Sequence, residues 1–188
     1  FIFQTLTSFW STSHTDSKLI TSSFQCGLGV VLSYISVIPE ERLKLFSLEN
    51  NNLRYTKDFI LASLENVDVF ILVNPDNPLG NYLSKDDVIS ILEYCAENDK
   101  ILVYDESFVD FTELKDEATL LSNEFLSNEN LVIIKSISKS YGVAGLRLGI
   151  IVSSNKKVID YITKIDNYEQ YMIYCDLYID ELDETEDK

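Results

Sequence analysis

Polar and apolar positions alternate along the chain with two different periods, and the changes of period mark a succession of strands and helices. Thr56-Lys57-Asp58-Phe59-Ile60-Leu61-Ala62-Ser63-Leu64 carries its apolar residues at helical spacing. Val67-Asp68-Val69-Phe70-Ile71-Leu72-Val73 is an apolar, β-branched run of strand length. After it, Pro75, Asn77, Pro78 and Gly80 forbid regular structure and predict a rigid loop. Ser84 has the character of an N-cap, with Asp87 three residues later, and Val88, Ile91, Leu92 and Cys95 fall on one face of the helix that should follow. Ile101 to Tyr104 and Leu131 to Ile134 predict two further strands, Leu148 to Val152 another, and Lys156 to Ile165 a last helix.

Strands that alternate with helices predict an α/β fold, a three-layer α/β/α sandwich around a mostly parallel sheet. Ligands of such sheets gather at the carboxyl ends of the strands. Asn77 follows the first strong strand, Asp105 ends the second, and Lys139 follows the third. The first 32 residues, rich in Ser and Thr up to Ser23, predict no element, and the chain divides into a poorly determined segment 1–32, a core 33–165 and an acidic tail 166–188.

Composition narrows the chemistry by exclusion. A net charge of −16 disfavours nucleic acid, whose phosphates need clustered Lys and Arg. No apolar run reaches the roughly 18 residues that would cross a bilayer, and the opening residues lack the basic start of a signal peptide. Cys26, Cys95 and Cys175 are far apart, which fits reduced thiols in a cytoplasmic protein rather than a disulfide or zinc framework. His14 is the single histidine, so neither a histidine metal site nor a Ser-His-Asp triad can be built, and no metal is expected.

What remains is an ordered set: Asn77-Pro78-Leu79-Gly80, Tyr104-Asp105-Glu106, Ser136-Ile137-Ser138-Lys139, and Arg147 eight residues after the lysine, within Gly145-Leu146-Arg147-Leu148-Gly149. An amine, a carboxylate, an amide, hydroxyls and a guanidinium in this order match the handles of pyridoxal 5'-phosphate: aldehyde, ring nitrogen, phenolic oxygen and phosphate. Order and spacing resemble the fold-type I, class I/II aminotransferases, in the branch of histidinol-phosphate aminotransferase and threonine-phosphate decarboxylase. The resemblance covers roughly 33–165 and implies an incomplete large domain of that fold, with the small domain missing.

The resemblance assigns a role to each position. Lys139 would carry the cofactor as a Schiff base and then move the substrate proton. Asp105 would face the ring nitrogen, Asn77 the phenolic oxygen, and Arg147, Ser136 and Ser138 the phosphate. Phe108 stands where many aminotransferases have a tyrosine, so one hydrogen bond to the cofactor would be lost. Asp105-Glu106-Ser107-Phe108-Val109-Asp110-Phe111 instead looks like the decarboxylase pattern. The implied function is amino transfer between an amino acid and a keto acid, in a homodimer. The alternatives are decarboxylation on the same scaffold, or a non-catalytic domain that keeps the fold.

Overall fold

The computed structural model describes residues 19–21, 43–45, 54–77, 79–113, 115–142, 149–163 and 172–174. Seven strands form one sheet: β1 (Leu19–Thr21), β2 (Leu43–Leu45), β3 (Val69–Val73), β4 (Ile101–Asp105), β5 (Leu131–Lys135), β6 (Gly149–Val152) and β7 (Met172–Tyr174), in the order β2-β1-β3-β4-β5-β6-β7. Every neighbouring pair is parallel except β5 and β6. Between β5 and β6 the chain returns antiparallel. Strands β1 and β7 fall inside segments 1–32 and 166–188, for which the sequence predicts no element.

All five residues of β3 are buried, as are the first four of β5. Successive strand residues point to opposite faces, so the sheet is covered on both sides, and the predicted three-layer arrangement is the one found. Helix α1 (Lys57–Ser63) begins where Thr56 accepts a hydrogen bond from the Phe59 N–H at 3.3 Å. Helix α2 (Lys85–Glu97) begins at Ser84, whose hydroxyl accepts the Asp87 N–H at 3.2 Å, with Asp86 and Asp87 favourably placed in the first turn. The predicted apolar face of α2 is the buried one. Its stop is Asp99, in the left-handed region at φ 53°, which lets the Lys100 N–H reach back to the Cys95 carbonyl at 2.8 Å.

Ile60, Leu64, Ile91, Phe70, Leu102 and Leu131 belong to one buried cluster that joins these helices to the sheet. At the amino ends of the strands, Lys100 Nζ donates to the Val67 carbonyl and Asn130 Nδ2 to the Lys100 carbonyl, each at 2.7 Å, so that end is closed by its own polar side chains. Cys95, a free thiol, lies fully buried on α2, and burial pushes its pKa up to about 12. No helix among the described residues is long and apolar enough to cross a membrane.

Tertiary burial should outweigh local helix signals in this domain. Ile91→Ala, at a fully buried position, should lower the unfolding free energy by about 2–5 kcal/mol, and Ser84→Ala by about 1 kcal/mol. Urea unfolding midpoints check the ranking, and equal losses would contradict it.

Candidate active site

Three adjacent parallel strands release their chains at one edge of the sheet. Val73 of β3 lies opposite Asp105 of β4, and Asp105 opposite Ile134 of β5. The ladder runs one residue further: the Asn74 N–H donates to the Asp105 carbonyl at 3.0 Å and the Glu106 N–H to the Ile134 carbonyl at 2.9 Å. The loops that bear Asn77, Asp105 and Lys139 are therefore spatial neighbours, as their sequence positions predict.

The loop after β3 is built around Asn74, which is 1% exposed. Its Oδ1 accepts the Leu83 N–H at 2.8 Å, and its Nδ2 donates to the Leu83 carbonyl at 3.0 Å and the Tyr104 hydroxyl at 3.2 Å. Asp76 clamps the other side, accepting from the backbone and side-chain nitrogens of Asn81 at 2.7 Å each. Gly80 sits at φ 69°, a conformation glycine adopts without strain. This frame holds Asn77 at the loop's exposed tip. Neither Asn74 nor Asp76 stands out in the sequence, where an Asn beside Pro reads simply as a turn.

Asp105 is half-buried at the end of β4. Burial raises its pKa above the ordinary carboxylate value, while hydrogen bonds from the Ser107 hydroxyl and N–H and the charge of Lys139 act in the opposite direction. Lys139 lies on a one-turn helix, α3 (Ile137–Ser140), and its Nζ sits 4.0 Å from the centre of the Phe108 ring. That is cation–π distance. Phe108 in turn tilts against Phe111, their centres 6.2 Å apart. Ser136 caps this turn without a side-chain bond, and Ser138 is buried within it. Arg147 lies outside the described residues.

Directly behind Asp105 is a second charged group that the sequence does not single out. Glu106 is fully buried; both its oxygens accept from the Thr119 hydroxyl at 2.9 Å, and one also accepts the Leu120 N–H at 3.2 Å. Lys135 Nζ lies 3.8 Å from it and 2.8 Å from Asp110. Burial pushes the Glu106 carboxyl up, more than Thr119, Leu120 and Lys135 pull it down. Asp110 goes the other way: the cost of its partial burial is outweighed by the Lys135 ammonium and the Ser140 hydroxyl, which hold it below the usual range. No group of side chains suited to a metal ion occurs among the described residues.

The family model of aminotransferase class I and II matches residues 33–168. Over 134 residues, 71% of this chain, the sequence is 30% identical to histidinol-phosphate aminotransferase of Francisella philomiragia, of which it covers 35%. It is 38% identical over 114 residues to L-serine phosphate decarboxylase of Sulfurospirillum multivorans, covering 29% of that protein. Among solved structures, a decarboxylase from Sulfurospirillum multivorans superposes over 88% of this chain and 46% of its own, with a TM-score of 0.66 and 26% identity. The chain thus spans about a third of the length of the curated relatives named here.

The Glu106 environment makes a signed prediction for stability. A folded-state pKa above the unfolded value contributes stability that is full below the unfolded value, 4.5, and is lost as pH rises through the folded one. Glu106→Gln should therefore cost most near pH 4 and progressively less toward pH 8, as measured by urea unfolding across that range. A penalty that grows with pH would contradict the direction given to Glu106.

Proposed function

The chain belongs to the class I and II aminotransferase family, and from that premise we propose that it forms the pyridoxal-phosphate-binding part of an enzyme that moves an amino group between an amino acid and a keto acid. The observation that carries this reading is the meeting of Asp105 and Lys139 at the carboxyl edge of two adjacent parallel strands, close enough for the lysine's charge to act on the carboxylate.

The donor set fits the cofactor on physical grounds. Burial opposes the charge of the half-buried Asp105 carboxyl, so a cation placed against it, such as a protonated ring nitrogen, would favour its anion and be held by it. When bound, pyridoxal phosphate supplies an electron sink that lets a bond at the amino acid's α carbon break. Lys139 would hold the cofactor through its amine, and the same amine would accept and return the α proton. Asn77, on its clamped loop, would donate to the phenolic oxygen. Ser136, Ser138 and Arg147 would hold the phosphate. Phe108, with no hydroxyl, offers the site a flat apolar wall and a resting place for the Lys139 ammonium. The same reading makes the substrates small amino and keto acids and the complete enzyme a cytoplasmic homodimer.

A second reading keeps the cofactor and changes the bond broken. The identity with L-serine phosphate decarboxylase, together with Phe108 in the segment Asp105 to Phe111, favours loss of carbon dioxide from a phosphorylated amino acid. Carbon dioxide release without a keto product separates it from amino transfer.

Borohydride reduction in the presence of pyridoxal phosphate, followed by peptide mass spectrometry, tests the shared premise. A single adduct on Lys139, lost in Lys139→Ala, is expected. Labelling scattered over surface lysines, or none, would contradict it.

A further inference from the structure

Ser107 stands between the carboxylate and the lysine turn. It is 3% exposed, its N–H donates to Asp105 Oδ1 at 2.9 Å, and its hydroxyl pulls the Asp105 pKa down. The same hydroxyl oxygen accepts the Ser136 N–H at 2.9 Å. A serine hydroxyl has one proton and two lone pairs. Since Ser136 brings the proton for its own bond, the Ser107 proton is not used there and remains available to Asp105.

Resting on the cofactor reading above, we propose that Ser107 is a positioning residue: its N–H fixes the Asp105 carboxylate, and its hydroxyl ties that corner to Ser136, the cap of the turn that carries Lys139. The distance between the group facing the ring nitrogen and the group taking the aldehyde is then set by a buried side chain rather than left to two independent loops. Ser107 also does an electrostatic task. Its N–H and its hydroxyl favour the Asp105 anion against the burial that opposes it, and an anionic Asp105 would keep a ring nitrogen protonated. An alanine at this position would keep the backbone donor, lose the hydroxyl, and leave the Ser136 N–H without its partner.

The test reads Asp105 directly, without cofactor, by following its side-chain carboxyl carbon through a pH titration with nuclear magnetic resonance. Ser107→Ala should move the Asp105 midpoint upward by about one pH unit, a tenfold change in proton affinity, and Ser107→Cys, nearly the same size with a weaker donor, should move it part of the way. The cysteine variant carries the test if the alanine variant does not fold. The pyridoxal phosphate Kd at neutral pH should rise about tenfold in the alanine variant, with Lys139 still the residue trapped by borohydride. A midpoint that stays put in a folded variant overturns the proposal, as does one that moves while the Kd does not. If the wild-type chain does not take the cofactor at all, the functional reading fails, while the Asp105 shift still reports on Ser107.

Discussion

Neighbouring strands that run the same way must end at the same edge, and at that edge their backbone groups run out of ladder partners. This holds for β3, β4 and β5, and most of the local architecture answers it. Asn74 binds the returning loop through Leu83, Ser107 takes the Ser136 N–H, and Glu106 takes the Leu120 N–H. Each is a side chain one or two residues beyond, or facing, a strand end. Buried backbone groups left unpaired would cost about 1–3 kcal/mol each, so these side chains fix the loops tightly. A site formed there inherits that rigidity.

The two acidic residues at the end of β4 show how one strand end can serve structure and chemistry together. Asp105 and Glu106 are consecutive, so their side chains leave the strand in opposite directions. Glu106 turns inward and is closed over by Thr119 and Leu120, with Lys135 nearby; it holds the segment around Ala118 against the sheet. Asp105 stays half-open at the edge, with the Lys139 charge acting on it and Ser107 as its anchor. The pair separates a carboxylate that binds the protein to itself from one that can meet a cation brought from outside.

Much of this could be read from the residues alone, for identifiable reasons. Helix α2 has a clear apolar face and a capping serine, and β3, β4 and β5 are unbroken apolar runs, so their types and approximate ends followed from periodicity. Asp105 and Lys139 could be placed at the edge because strand ends locate them. Strands β1 and β7 were not legible, since three residues are too few for any period to register. The roles of Asn74, Glu106 and Ser107 depend on partners nine to twenty-nine residues away, Leu83, Thr119 and Ser136, and no local pattern carries that information. The antiparallel return of β6 likewise depends on how the connection folds.

A crystal structure of the protein with pyridoxal phosphate bears most directly on the claim that three parallel strands assemble one cofactor site. The expected result is continuous density from Lys139 Nζ to the cofactor, with the ring nitrogen within hydrogen-bond distance of Asp105 and Asn77 turned toward the phenolic oxygen. Cofactor attached to another lysine, or a ring nitrogen facing away from Asp105, would contradict it.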